Sequence, residues 1–289
     1  MKKIAVLFTC FNRIEKTRAC IDSIERAAKS ADCSIDWYIT DGGSDDGTVE
    51  MLSGKNVHLS VEQGAFYSQG MRKSMEALDE NIQDNSLPEG KTGEPGGQPQ
   101  FYDYVMLAND DVEFFDDFLS KLMAYSDKIG AQKVIVGATC TSRPDAIQTY
   151  GGVRYKSKSS IKYSMVRIDD SDKTCDTFNA NCVLIPWDIY KTSPRMDKYF
   201  VHGLGDFDYG LCLKGEKISS DFFVGVCDNN SKEKTWLDTS LSRCERFRKL
   251  NSIKGAPTKY WFYYLKKHFG LKQALIHSLS PYVRIILGK

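Results

Sequence analysis

The sequence lacks several features by which common protein classes are recognised. It has no run of about 18 apolar residues, so no membrane-spanning helix is expected. The apolar run Ile4–Phe8 is too short for a signal peptide. Its 9 cysteines show no CxxC spacing and mostly have apolar neighbours, which indicates reduced thiols in a cytosolic protein. The 289 residues carry a formal net charge of +1, so the composition does not indicate a nucleic-acid partner.

Acidic residues are also absent from the last segment. Residues 246–289 contain ten Lys or Arg and no Asp or Glu, so by subtraction from +1 residues 1–245 carry a net charge of −9. This asymmetry predicts a basic tail with an anionic partner. The tail also contains the aromatic run Tyr260–Tyr264 and two apolar stretches, Leu271–Leu279 and Tyr282–Leu287. Amphipathic helices of this composition lie in membrane interfaces, so we predict a contact with a membrane surface. Packing on the rest of the chain and a homodimer contact are the alternatives.

The first part of the chain alternates short apolar stretches with amphipathic ones. Ile4–Phe8, Ile35–Thr40 and Val57–Val61 are apolar and rich in branched residues, as buried parallel strands are. Glu15–Lys29 and Val49–Leu52 between them have helical patterns. The alternation predicts an α/β fold, with a Rossmann-like, mostly parallel central sheet flanked by helices.

The later elements follow from the same patterns. They are a helix at Met71–Leu78, a strand at Tyr102–Leu107, a helix at Phe118–Lys128, a strand at Val134–Cys140, an antiparallel pair at Thr149–Tyr155 and Lys162–Ile168, a strand at Phe178–Pro186, a helix from Trp187 and a last strand at Asp221–Cys227. Residues 84–100 are rich in Gly, Pro, Gln and Asn, which indicates a flexible insertion, with a lid as the alternative. We therefore predict one domain over residues 1–228 and a helical C-terminal extension over residues 229–289.

Three polar segments follow predicted strands. They are Thr9–Arg13, Asp41–Thr48 and Asn109–Asp111. In open α/β sheets, ligands bind beyond the carboxyl ends of the strands, so these segments are expected to meet at one edge. Adjacent carboxylates repel one another unless a cation lies between them, and Mg²⁺ or Mn²⁺ prefers oxygen ligands and substrate phosphates. The pattern favours a metal-diphosphate site over an acidic turn before a helix.

Four segments taken together resemble family-2 glycosyltransferases. They are Thr9-Cys10-Phe11-Asn12-Arg13, Asp41-Gly42-Gly43-Ser44-Asp45-Asp46-Gly47-Thr48, Asn109-Asp110-Asp111 and Gly205-Asp206-Phe207-Asp208. The second is fairly specific, and the other three gain weight from their order and spacing. The resemblance covers about residues 1–228. It implies the GT-A fold and inverting transfer of a sugar from a nucleotide-sugar donor.

The resemblance also implies roles for individual residues. It assigns donor binding to Thr9, Phe11, Arg13, Asp41, Gly42, Gly64, Tyr67, Asn109 and Asp110, the metal ligand to Asp111, and the catalytic base to Asp206. Asp41 matches a carboxylate that accepts the N3–H of a pyrimidine base, which favours uridine or thymidine donors. Asn109 stands where the family often has a first Asp, and Gly205 where Glu is usual. Cys227-Asp228 lie where some members have a metal-ligating His, and we assign them no role.

Several of these residues have a plainer alternative. Asp206 fits the N-cap of a helix, and Asp208 fits a first-turn acid that complements the helix dipole. His202 lies near the same loop and is expected to be packed or at the surface. Trp187 and Trp261 have the shape to stack on sugar rings, but packing in the core is the simpler expectation.

The chemistry agrees with the resemblance. Inverting transfer is a single displacement that needs a base for the acceptor proton and a cation for the leaving diphosphate. We predict a cytoplasmic, metal-dependent hexosyltransferase at the inner face of the plasma membrane. Its donor is a dTDP- or UDP-sugar, of rhamnose, galactose or galactofuranose type, and its acceptor is a hydroxyl of a glycan or polyprenyl-diphosphate-linked sugar in surface polysaccharide synthesis. The alternatives are a sugar-phosphate nucleotidyltransferase, whose glycine-rich basic loop is missing here, and an inactive glycan-binding module.

Overall fold

A computed structural model describes residues 1–86, 102–228, 234–255 and 257–289. Within these residues the elements are, in order, β1 (Lys2–Cys10), α1 (Ile14–Ser30), β2 (Cys33–Asp41), α2 (Thr48–Ser53), β3 (Val57–Val61), α3 (Tyr67–Ser86), β4 (Tyr104–Ala108), β5 (Glu113–Phe114), α4 (Phe118–Ile129), β6 (Val134–Cys140), β7 (Gln148–Tyr150), β8 (Gly152–Tyr155), β9 (Tyr163–Met165), β10 (Thr174–Cys175), β11 (Thr177–Phe178), β12 (Cys182–Pro186), α5 (Trp187–Thr192), α6 (Gly205–Cys212), β13 (Lys217–Val226), α7 (Arg243–Asn251), α8 (Thr258–Phe269) and α9 (Leu271–Ile286). The insertion predicted at residues 84–100 lies outside the described residues from residue 87 onward.

The central sheet confirms the predicted fold class. Its strand order is β10-β13-β6-β12-β4-β1-β2-β3, with β5 and β7 paired at the side. Strands β3, β2, β1 and β4 run parallel, and β6 runs parallel to β13. The strand between these two groups, β12, is antiparallel to both of its neighbours. The result is a mixed α/β fold with a mostly parallel sheet and helices on its faces.

Two apolar cores cover the two faces of the sheet. Alternate side chains of β1 divide between them, with Ile4, Val6 and Phe8 in one and Ala5 and Leu7 in the other. The first core is completed by α1, α2 and α4, and the second by α3, α5 and α6. Because β1 is buried on both faces, its sequence reads as a continuous apolar run, as expected for a central parallel strand.

Two segments predicted as single strands are each divided between two sheets. The segment Thr149–Tyr155 breaks at Gly151, whose φ is +156°, so that β7 joins the central sheet and β8 joins a small sheet of order β11-β8-β9. The segment Phe178–Pro186 breaks between β11 and β12 in the same way. The Asn179 N–H donates to the Gly151 carbonyl, so both chains cross between the sheets at the same point. Apolar composition predicts burial at both ends but does not reveal such a crossing.

The C-terminal extension forms helices that pack on the rest of the chain. In α8, Tyr264 and Leu265 are buried against Phe200, together with Ala274 of α9. Ser242 begins α7 with a capping box, in which its hydroxyl and the Glu245 side chain each accept from the other's backbone. All nine cysteines are free, as the sequence indicated. Among the helices of the described residues, none is both long and apolar enough to cross a bilayer.

Candidate active site

The three polar segments that follow β1, β2 and β4 lie at one edge of the sheet. Cys10 at the end of β1 is in register with Asp41 at the end of β2, and Leu7 is in register with Leu107 of β4. Because these strands are parallel and adjacent, the loops that leave them converge, as predicted. The edge therefore brings together most of the residues assigned to the donor and to the metal.

Asp41 organises the loop that follows it. Its Oδ1 accepts from the N–H groups of Gly43, at 2.8 Å, and Ser44, at 2.6 Å. Its Oδ2 accepts from the Ser44 hydroxyl at 2.6 Å and the Cys10 thiol at 3.4 Å. The side chain is fully buried. These four donors occupy about all four lone-pair sites of the carboxylate. For the predicted contact, the N3–H of a pyrimidine base must therefore replace one of the four donors.

Glycines allow the neighbouring loops to approach closely. A Cβ on Gly42 would lie 2.9 Å from the Ala65 carbonyl and 3.3 Å from the Phe11 ring. Gly64 has a φ of +74°, which favours glycine, and its N–H donates to the Gly42 carbonyl at 2.9 Å. The Phe11 ring is 52% exposed at this edge, where it is free to stack on a flat ligand.

The Thr9 side chain, predicted to contact the donor, makes a contact within the fold. Its hydroxyl donates to the Thr40 carbonyl at 2.9 Å. A Cβ on Gly70 would lie only 2.2 Å from that hydroxyl, so the glycine allows α3 to pack against β1. The side-chain oxygen of Thr9 is therefore directed into the fold, and any donor contact of this residue involves its backbone.

Arg13 links the first loop to the acidic segment after β4. Its NH1 lies 3.2 Å from Asp110 Oδ1 and 3.3 Å from Asp111 Oδ2. Asp110 also accepts from Thr17 of α1 at 3.4 Å and is only 5% exposed. Burial raises the pKa of Asp110 to about 7, although the positive charge of Arg13 opposes the shift. A buried carboxylate of this kind is stabilised by additional positive charge.

The oxygens around Asp111 suit a hard divalent cation. Asp111 is partly exposed, and its Oδ1 accepts from the Cys227 thiol at 3.6 Å. Asn109 Oδ1 is buried and has no hydrogen-bond partner among the residues that the structure describes. Burial, and then Asp111, raises the pKa of Cys227 to about 12, so this thiol stays protonated and is a poor ligand. The amide and carboxylate oxygens of Asn109 and Asp111 therefore fit Mn²⁺ or Mg²⁺.

Asp206 is tied to this same edge through two backbone contacts. Its carboxylate accepts from the Phe207 N–H at 2.8 Å, and the Ala180 N–H lies close enough to favour the charged form. The next residue, Asn181, accepts from the Asn109 N–H through its carbonyl at 3.4 Å. The segment before β12 thus connects Asp206 directly to the acidic loop. Nothing in the sequence marks Ala180 for this role, because the contact involves only its backbone.

The environment of Asp206 is suited to a general base. Burial raises the pKa of Asp206 to about 6, while the backbone N–H groups of Phe207, Ala180 and Asp206 itself oppose this shift. The Tyr67 hydroxyl is buried without a hydrogen-bond partner among the described residues. Burial, and then the charge of Asp206, raises the pKa of Tyr67, which places this tyrosine near Asp206. A carboxylate with this pKa is ionised at neutral pH and is more basic than an exposed aspartate.

Gly205 and His202 show how the loop before α6 packs. A Cβ on Gly205 would lie 2.2 Å from the Ser68 hydroxyl, so a larger residue does not fit beside α3. The His202 ring contacts Phe66 edge-on, with 5.7 Å between centroids, as expected for a packed histidine. Its pKa is lowered by burial and then by the charges of Lys254 and Arg13. His202 therefore lies between the donor edge and the C-terminal extension.

Asp208 belongs to the contact with the extension rather than to the edge. It is 1% exposed, and it contacts Lys267 at 2.8 Å and His268 at 2.7 Å. Asp208, Cys212 and His268 place potential ligand atoms within 4.8 Å of one another. The Lys267 ammonium group already neutralises Asp208, and burial raises the pKa of the Cys212 thiol. These groups therefore fit Mn²⁺ or Mg²⁺ less well than the oxygens of Asn109 and Asp111.

Comparisons with known proteins locate the fold but not a family. No protein-family model matches the chain, and no curated protein matches its sequence. The structure is similar to residues 1–349 of TarS from S. aureus, with a TM-score of 0.50 and 11% identity over 99% of this chain and 81% of that one. The mannosyltransferase PcManGT from Pyrobaculum calidifontis, in complex with GDP-Man and Mn²⁺, gives a TM-score of 0.49 and 12% identity over 99% of this chain and 73% of that one. At 11% identity the likeness to TarS concerns the fold alone, and it agrees with the predicted fold class.

Proposed function

We propose that the chain is a metal-dependent, inverting glycosyltransferase that moves a hexose from a nucleotide-sugar donor to a hydroxyl group. One observation carries the proposal. Asn181 accepts from the Asn109 N–H, and the Ala180 N–H lies close to Asp206. These contacts join Asp206 to the loop of Asn109 and Asp111, which supports a base and a cation site at one sheet edge. Single displacement needs these two functions on opposite sides of one anomeric carbon.

In this mechanism Asp206 accepts the proton of the acceptor hydroxyl. The acceptor oxygen then forms a bond to the anomeric carbon while the bond from that carbon to the diphosphate oxygen breaks. The electron pair of the broken bond leaves with the nucleoside diphosphate, and configuration inverts. Asp206 is ionised at neutral pH because its pKa is about 6, and the Phe207 N–H, which donates to the carboxylate at 2.8 Å, helps to hold it in place.

The acidic loop and Arg13 act on the other product. Asn109 and Asp111 would hold the divalent cation, which when bound supplies positive charge for the leaving diphosphate. Arg13, about half exposed in its side chain, adds a guanidinium at the same place. Arg13 is held there by Asp110, whose second oxygen is engaged by Thr17. Asp110 therefore serves the donor site by positioning Arg13.

The donor and the acceptor are finer parts of the proposal. Asp41 in its loop supports a pyrimidine nucleotide, so dTDP- and UDP-sugars of rhamnose, galactose or galactofuranose type are the favoured donors. The acceptor is a glycan or a polyprenyl-diphosphate-linked sugar in the synthesis of a surface polysaccharide such as a capsule or cell-wall polymer. Such a reaction takes place in the cytoplasm at the inner face of the membrane.

The exposed face of α9 supports a membrane-surface partner. Seven apolar side chains there, 51% to 60% exposed, form one stripe: Leu271, Leu275, Ile276, Leu279, Val283, Ile286 and Leu287. Residues 246–289 carry ten basic and no acidic side chains. Two of these basic residues, Lys272 and Arg284, lie in α9 itself, so apolar insertion and attraction to anionic lipid act together on the extension. We propose an anionic bilayer as the occupant of this face.

A donor screen tests the proposed function. The full chain is incubated with Mn²⁺ and, separately, dTDP-rhamnose, UDP-galactose, UDP-galactofuranose or UDP-glucose, and release of nucleoside diphosphate is measured by chromatography. We expect release with at least one donor, and loss of release on chelation. Release of inorganic diphosphate from a nucleoside triphosphate and a sugar phosphate would indicate a nucleotidyltransferase. Glycan binding without turnover of any donor would indicate an inactive binding module.

A further inference from the structure

A second cavity lies next to Asp206, outside the donor edge. It has a volume of about 360 Å³ and lies between α8, α9, the segments that flank α7, and the loop before α6. Leu204 lines it and is two residues before Asp206. The remaining wall comes mainly from the extension, including Trp236, Trp261 and Arg284. We call this cavity the extension pocket.

The position of the extension pocket favours an acceptor over a donor. The donor residues lie at the ends of β1, β2 and β4, and the His202–Leu204 segment separates them from the pocket. The His202 ring packs on Phe66, in the loop that follows β3, while the next two residues, Gly203 and Leu204, line the pocket. A molecule in the pocket therefore lies beside the segment that leads into Asp206, outside the donor edge.

The lining of the pocket is aromatic and cationic. Trp236, Tyr260 and Trp261 contribute their rings, and the Arg284 guanidinium lies 5.8 Å from the Trp236 ring centroid. Arg284 has no carboxylate partner among the described residues, and no Asp or Glu exists in residues 246–289. Aromatic faces suit the apolar faces of sugar rings, and a guanidinium binds phosphate oxygens in a bidentate manner.

We propose that the extension pocket binds the acceptor, and that the acceptor is a sugar attached to a phosphate or diphosphate group. The sugar stacks on the indole rings, and the phosphate pairs with Arg284. The assignment of the bound molecule as the acceptor rests on the proposed function. Binding of a phosphorylated sugar in the pocket does not depend on that function. The Arg284 side chain lines the cavity and is also exposed, so its guanidinium is accessible to a phosphate group of a ligand.

Direct binding is measured by tryptophan fluorescence, because two of the 4 tryptophans line the pocket. The probe is N-acetylglucosamine joined through diphosphate to a C11 alkyl chain. The same sugar on a neutral C11 chain and C11 diphosphate without sugar form the other two arms. We expect saturable quenching with the complete probe, and weaker binding in both other arms. Equal binding of C11 diphosphate alone would show that the sugar is not recognised and would overturn the proposal.

Arg284→Gln tests the phosphate contact, with Arg248→Gln on exposed α7 as the charge-matched control. Arg284→Gln is expected to weaken binding of the diphosphate probe by about tenfold or more, because a charge-assisted contact is lost. It should leave binding of the neutral glycoside and of the nucleotide sugar with Mn²⁺ unchanged. If both variants weaken binding of the diphosphate probe equally, Arg284 contributes only through the overall positive charge of the extension, and the proposed phosphate contact in the pocket is refuted.

Filling the pocket provides a second, independent variant. Ser280 lines it from α9, so Ser280→Tyr is expected to abolish quenching by the probe, whereas Ser280→Ala is expected to retain it. Thermal unfolding confirms that both variants are folded. If Ser280→Tyr binds the probe as tightly as the parent chain, the pocket is not the site. If the protein turns over no nucleotide sugar but binds the probe as expected in both pairs of variants, the proposed enzymatic function is refuted and the proposed binding site in the pocket stands.

Discussion

Lys267 of α8 lies 2.8 Å from the carboxylate of Asp208 on α6. The same ammonium group lies 2.9 Å from Asp197, which also accepts from the Tyr263 hydroxyl. Asp208 is 1% exposed, so its charge depends on this partner and on His268. The helix that begins beside Asp206 is therefore held in place by the extension.

Removing this contact is expected to destabilise the whole fold. Lys267→Met leaves Asp208 buried with a single partner, and breaking a buried ion pair costs about 3 kcal/mol of unfolding free energy. The neighbouring Lys266 is exposed, so Lys266→Met is the matched control and is expected to change stability by less than about 0.5 kcal/mol. Urea unfolding measures both. Equal stability of the two variants would contradict a structural role for the Lys267 contact.

The pH dependence of transfer is expected to report Asp206. Because its pKa is raised to about 6, the carboxylate becomes protonated as the pH falls below this value and can no longer accept a proton. The rate constant kcat/KM should fall about tenfold per pH unit below about pH 6. Steady-state assays between pH 4.5 and 8 measure the profile. A kcat/KM that does not fall down to pH 4.5 would exclude Asp206 as the titrating base.

Replacing Asp206 is expected to separate activity from stability. Asp206→Asn removes the base and should abolish transfer while leaving donor binding nearly intact. The folded-state pKa, about 6, lies above the usual 3.8, so ionisation favours the unfolded chain at high pH. Asp206→Asn should then raise the unfolding free energy at pH 8 by up to about 2 kcal/mol, allowing for one weakened backbone contact. The gain should disappear below pH 3.8. Destabilisation that is equal at both pH values would contradict this account.

Metal-dependent donor binding is expected to require Asp111. Asp111→Ala should weaken binding of the nucleotide sugar in the presence of Mn²⁺ by about tenfold or more, because a charged oxygen ligand is lost. Asp116→Ala, on an exposed acid that pairs with Arg26, is the control and should bind normally. Isothermal titration calorimetry with and without Mn²⁺ makes the comparison. If Asp111→Ala shows the same Mn²⁺ titration as the parent chain, the ligand assignment fails.

The stripe on α9 is expected to bind anionic vesicles. Leu275→Gln with Leu279→Gln should reduce co-sedimentation with phosphatidylglycerol vesicles by at least about tenfold, since each buried Leu contributes about 1.5 kcal/mol or more. Val61 and Ile147 are similarly exposed elsewhere, so Val61→Gln with Ile147→Gln is the matched control. Sedimentation velocity in the absence of lipid tests for a dimer. A dimer that the α9 variant dissociates would assign the stripe to a second copy instead.

The sequence alone determined the elements whose signal is local. The continuous apolar run of β1, the glycine-rich loop after Asp41 and the helical pattern of α1 follow from periodicity and backbone freedom, and they were predicted with small differences in their ends. The convergence of the polar loops also followed, because adjacent parallel strands end at one edge. The role of Asp111 and the membrane partner remain predictions.

Tertiary structure decided the contacts between residues distant in the chain. The approach of Asp206 to the acidic loop depends on the backbone of Ala180 and Asn181, which carry no side-chain signal for it. The sequence predicts Asp208 as a first-turn acid that complements the helix dipole. The packing of α8 buries it and pairs it with Lys267. The extension pocket forms where α8, α9 and the segments that flank α7 meet Leu204. Such contacts arise from how separate apolar faces are buried together, and a local pattern predicts that a face is buried without identifying what covers it.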